Sequence, residues 1–244
     1  MDAMIADILP PRVAAAEAFG DLPDVILYPG EEAVIAKARA KRRGEFATGR
    51  ACARTALARL GVPAAPILPG WRGAPQWPAG VVGSITHCAG YRASAVALDR
   101  DVVTIGVDAE PNGPLPDGVL EVVASADEQA GLAALHASAQ GVCWDRMLFC
   151  AKESVYKAWF PLTRRPLGFR DARVEFDPAG AAFSARLLVD GPVLNGAVLA
   201  GFDGRWLAAS GLLVTAIVVP RQGQGNRRGR DVAWAVQVHH GPFG

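Results

Sequence analysis

The chain has 244 residues, 51% of them hydrophobic and 20% charged, with a formal net charge of +1. That composition belongs to a globular protein with room for a sizeable core, and it excludes a disordered or fibrous chain and one drawn to nucleic acid or membrane by overall charge. No apolar run reaches the ~18–20 residues of a membrane helix. Met1 to Arg12 carries Asp2 and Asp7 but no basic lead, unlike a signal peptide, and the four cysteines form no CxxC pair, so reduced thiols in a cytoplasmic protein are expected.

Glu31 to Arg43 reads as a helix with acids at its start and bases at its end, as the helix dipole favours, and Gly44 interrupts it. A second helix runs from Glu45 to Leu60 and stops at Gly61, with Pro63 beyond. Phe46, Ala53, Leu57 and Leu60 form its apolar stripe, and Arg43, Arg50 and Arg54 lie on another face. The basic run containing them begins at Lys37 and includes Arg42 and Arg59. It reads equally well as a solvated face or as a site for phosphates or an acidic partner.

Pro63 to Gly80, rich in proline and glycine, reads as a loop carrying Trp71, Arg72 and Trp77. Strands are expected at Val81–Thr86 and Arg92–Asp99, flanking the turn His87-Cys88-Ala89-Gly90. Another, apolar on both faces, is expected at Val102–Val107, ending on Asp108-Ala109-Glu110-Pro111. Asn112 to Asp117 reads as a linker between an N-terminal half, 1–111, and a C-terminal half, 112–220. The second half should hold a helix over Glu121–Ala139 and a stronger one over Asp145–Phe160, ended by Pro161. Strands at Ala172–Phe176, Phe183–Val189, Arg205–Ala209 and Leu212–Val219 follow. Residues 221–244, rich in Gly, Gln, Asn and Arg at their start, read as a disordered tail.

Asp108 and Glu110 stand two apart at the end of a strand, so both carboxylates point to one side and can face one ion. Two carboxylates completed by water and substrate phosphate is a common way to hold Mg²⁺. A DxE after a strand is a weak signal alone, since a solvated turn has the same pattern. The helix 145–160 strengthens it: Lys152, Glu153 and Lys157 sit among Phe149, Tyr156, Trp159 and Phe160, which leaves little face for open solvent. They suit a third carboxylate for the metal and a lysine for a phosphate. His87 reads first as a structural histidine. Beside a phosphate site, its imidazole and the Thr86 hydroxyl would serve as phosphate donors. Ser84, His87 and Asp108 lack any GxSxG elbow, which argues against a hydrolytic triad.

Ile105-Gly106-Val107-Asp108-Ala109-Glu110, followed in order by Phe149-Cys150-Ala151-Lys152-Glu153-Ser154-Val155-Tyr156-Lys157, resembles the two signature motifs of the Sfp/enterobactin synthase component D type of 4′-phosphopantetheinyl transferases. Ser84-Ile85-Thr86-His87 looks like that family's serine–histidine segment, Lys41 through Arg50 like its basic N-terminal helix, and Leu167-Gly168-Phe169 fits as well. The likeness spans about residues 30 to 219 and is closest to actinobacterial members. It implies an α+β fold of two similar halves related by pseudo-twofold symmetry, with coenzyme A held in the cleft between them. It implies Mg²⁺, or Mn²⁺ in its place, on Asp108, Glu110 and Glu153. Glu153 would be the general base, Lys157 with Lys152 would steady the phosphates, and Arg42, Arg50 and His87 would receive the 3′-phosphate. Relatives often carry lysine in the loop before the serine–histidine segment; here that loop has Pro69 and Arg72, and Arg72 is taken as the substitute.

The implied activity moves 4′-phosphopantetheine from coenzyme A to a serine of apo acyl, peptidyl or aryl carrier proteins and releases 3′,5′-ADP. The carriers served would be those of fatty-acid, polyketide or nonribosomal-peptide synthases, siderophore synthases included. A monomer acting without nucleic acid or membrane is expected. Two other readings use the same residues: a Mg²⁺-dependent phosphate-ester hydrolase needing no protein acceptor, and a non-catalytic module that binds carriers through its basic helix.

Overall fold

The computed structural model of the protein describes residues 4–194 and 196–221; the expected tail, apart from Arg221, lies outside them. In chain order the elements are β1 (Ala14–Phe19), α1 (Pro29–Ile35), α2 (Ala40–Arg59), β2 (Val81–Cys88), β3 (Tyr91–Leu98), β4 (Val102–Pro111), α3 (Val119–Val123), α4 (Ala126–Ser138), α5 (Trp144–Thr163), β5 (Ala172–Asp177), β6 (Ala182–Leu187), the short pair β7 (Val193–Leu194) and β8 (Ala197–Val198), β9 (Gly201–Ala209) and β10 (Leu212–Pro220). One antiparallel sheet has the order β1-β3-β2 and a second the order β4-β10-β9-β6-β5. The architecture is α+β. Each sheet carries one 20-residue helix across a face, α2 on the first and α5 on the second.

Alternation along the strands sorts the apolar side chains into three clusters. Ala53, Ala56 and Leu57 of α2 pack on Ala16, Ala18 and Val96 of the first sheet. Ala93, Ala95, Ile105, Val107, Val214, Ala216 and Val218 fill the space between the sheets. Leu148, Ala151, Val155 and Ala158 of α5 meet Leu213, Ile217 and Val219 on the far face of the second sheet. β10 is therefore buried on both faces, which is why its sequence is a continuous apolar run.

β4 is an edge strand, bonded to β10 on one side only. Its outer edge is closed by side chains: the hydroxyls of Ser84 and Thr86 on β2 accept from the N–H groups of Val107 and Ala109 at 3.1 and 3.0 Å. These bonds join the sheets where ladder pairing stops and satisfy donors that an edge would otherwise leave open.

Several boundaries differ from the sequence reading. Gly44 lies inside α2, and the helical stretch breaks instead between Ile35 and Ala40. A Cβ at 44 would come within 2.3 Å of the Asp21 carboxylate, a half-exposed side chain that would have to swing aside. The expected helix 121–139 is two helices, since Ser125 and Glu128 form a reciprocal capping box that starts α4 afresh. Pro161 falls in the last turn of α5, which runs on to Thr163. β1 was not expected: Ala-Ala-Ala-Glu-Ala-Phe has no β-branched residue, and pairing with β3 makes it a strand.

Candidate active site

Asp108 and Glu110 lie within β4 rather than beyond its end. From Thr104 onward the even-numbered residues of this strand face α5 in succession. Thr104 donates to the Ala158 carbonyl at 2.9 Å, Gly106 lies against the α5 backbone, Asp108 accepts from Lys157 at 2.7 Å, and Glu110 accepts from Arg146 at 3.1 Å. Gly106 makes this approach possible, because a Cβ would stand 2.0 Å from the Ser154 carbonyl oxygen. Strand and helix thus meet at backbone distance, and their charged side chains converge above that contact.

The 5%-exposed Asp108 is held through one oxygen: Oδ1 accepts from Lys157 and, at 3.0 Å, from the Thr86 hydroxyl. Its Oδ2 is buried and has no hydrogen-bond partner among the described residues. Burial opposes the Lys157 ammonium, but Asp108 beside it and Glu153 nearby outweigh that and hold its pKa above the ordinary lysine value. Burial and the Asp108 charge raise the pKa of Glu153. The same two causes raise that of Glu110, against the opposing pull of Arg146.

A divalent cation fits this donor set. It would satisfy the buried Oδ2 of Asp108, and it would relieve the repulsion that makes Glu110 and Glu153 harder to ionise. Among the described residues, however, no three His, Cys, Asp or Glu side chains form a ready-made cage. Asp108 leans to Lys157 and Thr86, and Glu110 to Arg146. Such a site suits Mg²⁺ completed by substrate phosphate and water.

A cavity of about 620 Å³ opens between the loop 70–77 and α5. Lys157, Arg72 and Arg164 bring positive charge to it, and Glu153 brings an acid. Trp71, Phe160 and Tyr156 form one wall, with ring centroids 5.5 and 5.7 Å apart in turn. A smaller cavity of about 320 Å³ is lined by Lys152, Val155, Leu167, Gly168, Phe169 and Ala172. Arg72, Glu153 and Tyr156 line both, so Glu153 stands where the two adjoin.

The basic run divides by role. Arg54 pairs with the fully buried Glu31 at 3.0 Å, and Arg43 donates to the Ile35 carbonyl, so both fasten α1 to α2. Arg50 is buried, donates through Nε to the Ile67 carbonyl at 3.1 Å and lies over the Phe46 ring; burial brings its pKa down to about 10. Arg42 and His87 keep 52% and 39% of their side-chain surface exposed and meet at 2.9 Å, with Glu45 3.7 Å from the other ring nitrogen. Burial of the ring, only partly offset by Glu45, lowers the His87 pKa.

Asp108, Lys157, Glu110 and Glu153 are thus gathered at the β4–α5 face, Arg42 and His87 form a second cluster, and Arg72 lines both cavities. Two expected donors lie elsewhere in bonding terms. Thr86 gives its proton to Asp108, so its hydroxyl positions a carboxylate instead of meeting a phosphate. Lys152 turns its ammonium inward, donating to the Val123 carbonyl, Glu128 and the Phe169 carbonyl at 2.9, 2.9 and 2.7 Å. All three of its N–H bonds are used there, and none remains for a phosphate. Ser84 accepts from Val107 N–H and is a structural link, not a nucleophile. Sequence reading passed over Arg146, which holds Glu110 and also donates to the Gly113 and Pro114 carbonyls; a lone arginine early in a helix gives no signal of that. Trp71 was noticed only as part of a loop, and its contact with Phe160 required the loop to fold over α5.

A family model described as "4′-phosphopantetheinyl transferase N-terminal domain" matches residues 30–97, and one described as "4′-phosphopantetheinyl transferase superfamily" matches residues 104–195. The chain is 56% identical to the 4′-phosphopantetheinyl transferase Svp of Streptomyces mobaraensis, over 88% of this chain and 89% of that protein. It is 48% identical to the 4′-phosphopantetheinyl transferase PptT of Mycobacterium tuberculosis, over 88% of this chain and 98% of the other. The enterobactin synthase component D of Salmonella typhi is 32% identical over 62% of each chain.

Proposed function

The chain belongs to the 4′-phosphopantetheinyl transferase superfamily, and from that premise we propose that it transfers 4′-phosphopantetheine from coenzyme A to a serine hydroxyl of an apo carrier protein. The observation that carries the reading at this site is the convergence of Asp108, with its unpartnered buried oxygen, Lys157 and Glu153 where the two cavities adjoin.

Asp108, Glu110 and Glu153 would hold Mg²⁺ together with the donor pyrophosphate. When bound, the ion neutralises charge that builds on the leaving nucleotide. Lys157, fixed by Asp108 and the Val107 carbonyl, presents its positive charge beside the pyrophosphate. Arg72 and Arg164 line the same cavity and extend that field, while Arg42 and His87, which meet at 2.9 Å, receive the 3′-phosphate together with Arg50. The uncharged pantetheine arm occupies the smaller cavity along Tyr156, Leu167 and Phe169. Glu153 takes the proton from the carrier serine as its oxygen bonds to the phosphorus that carries the arm. The bond from that phosphorus to the bridging oxygen breaks, and 3′,5′-ADP leaves with the electron pair. Thr86 and Lys157 keep Asp108 fixed throughout, so the site needs little rearrangement.

Mass spectrometry of apo carrier proteins from fatty-acid, polyketide and nonribosomal-peptide synthases, siderophore synthases among them, tests the proposal. Incubation with the protein, coenzyme A and Mg²⁺ should add one phosphopantetheine arm to the serine and release 3′,5′-ADP. Breakdown of coenzyme A without any carrier would identify a hydrolase instead, and unmodified carriers across all classes would overturn the reading.

A further inference from the structure

The ammonium of Lys152 is the most fully enclosed charge on α5: its side chain is 2% exposed, as is that of its partner Glu128. Burial lowers the Lys152 pKa, and Glu128 acts against that shift. Glu128 is also a hub. One oxygen accepts from Ser125 N–H at 2.8 Å and the other from Val174 N–H at 2.9 Å. Through Lys152 and Glu128, α5 is thereby fastened to the end of α3, the cap of α4, the start of β5 and the Phe169 carbonyl. Phe169 in turn packs on Phe149 of α5, with ring centroids 5.6 Å apart.

Phe169, Leu167 and Gly168 form the wall of the smaller cavity opposite Tyr156, and Glu153 follows Lys152 directly in the chain. We propose that Lys152 is a positioning residue: by holding the Phe169 carbonyl and Glu128, it fixes the distance between the 167–169 wall and α5, and so sets the fit of the donor's pantetheine arm against Glu153. Lys152 lines this cavity too, but its ammonium spends its three hydrogens within the protein and offers the donor none. This rests on the reading of the smaller cavity as the arm site.

Removing Lys152 alone strands a buried carboxylate, so K152M is expected to fold poorly. The pair K152M/E128Q removes both charges at nearly constant volume; the new amide can still accept from Val174 N–H and donate to a carbonyl, and only the Ser125 N–H loses its acceptor. Calorimetric titration of this double variant should show coenzyme A bound about tenfold more weakly than by the unaltered protein, while 3′,5′-ADP, which lacks the arm, changes by less than about twofold. The rate at saturating coenzyme A should fall as well. E128D, which keeps the ion pair but shortens its reach by one methylene, should give the same selective loss in smaller size, and it decides the question alone if the double variant does not fold. Equal weakening of both ligands, or no change in either, overturns the proposal. The unaltered protein assayed alongside separates the two readings: if it modifies no carrier, the transferase reading fails, and if it does while the variants show no selective loss, only the role of Lys152 fails.

Discussion

The hydroxyl of Thr86 donates to Asp108 Oδ1 at 3.0 Å and accepts from the N–H of Ala109 at 3.0 Å, so one side chain on β2 fixes both the carboxylate and the backbone beside it on β4. Because β2 and β4 belong to different sheets, this side chain ties the seam of the fold to the chemistry at the β4–α5 face. T86V keeps the shape but removes both bonds, leaving the Ala109 donor buried and unpaired. It should cost about 1–3 kcal/mol in denaturant unfolding and lower the transfer rate, and T86S should restore most of both. Wild-type stability and turnover in T86V would mean the seam does not depend on this hydroxyl.

Gly106 controls how closely α5 lies on β4. A methyl group at 106 meets the Ser154 carbonyl and the Ala158 nitrogen, neither of which can move without displacing the helix. G106A should destabilise the protein by about 3 kcal/mol, measured by denaturant midpoint, and should lower the rate in whatever fraction remains folded.

Glu153 is partly exposed, and among the described residues its side chain has no hydrogen-bond or ion-pair partner that would explain its position on α5. E153Q should therefore leave the melting temperature within a few degrees, while lowering the maximal transfer rate by about 10²–10⁴-fold. Removal of divalent cation with a chelator should stop transfer by the unaltered protein, and added Mg²⁺ or Mn²⁺ should restore it. A folded E153Q with near-normal turnover in saturating Mg²⁺ would show that another group takes the serine proton.

The His87 pKa lies below the ordinary histidine value because burial disfavours the charged ring, so the ring is neutral at pH 7. A 3′-phosphate placed against it favours the protonated form and raises that pKa. Binding must then take up protons in the interval between the two values, and affinity for coenzyme A should improve as pH falls from about 7.5 to about 6. The 3′-dephospho analogue should show a flatter profile, as should H87Q with coenzyme A. Parallel profiles for both donors would place the 3′-phosphate away from His87.

The β4 and α5 motifs were legible because their chemistry is local. Asp108 and Glu110 share a side through the two-residue period of a strand, and Glu153 and Lys157 share one through the near four-residue period of a helix. The apolar runs of β4 and β10 were legible for a related reason, since burial on both faces leaves no polar alternation. β1 escaped because alanine has little intrinsic strand preference, so its conformation comes from β3, a partner more than seventy residues away in the chain.

The sequence by itself determined the family, the acidic pair on β4, and the glutamate and lysine on α5, because these depend on residue type at fixed spacing. Only the tertiary structure decided what each cation does. Lys152 and Lys157 are five residues apart on one helix, yet Lys152 spends its three hydrogens on Val123, Glu128 and Phe169, while Lys157 turns to Asp108 at the cavity. In the same way Arg54 closes on Glu31 and Arg42 faces solvent beside His87. A charged side chain takes the nearest partner that burial leaves open to it, and that partner is fixed by elements distant in sequence.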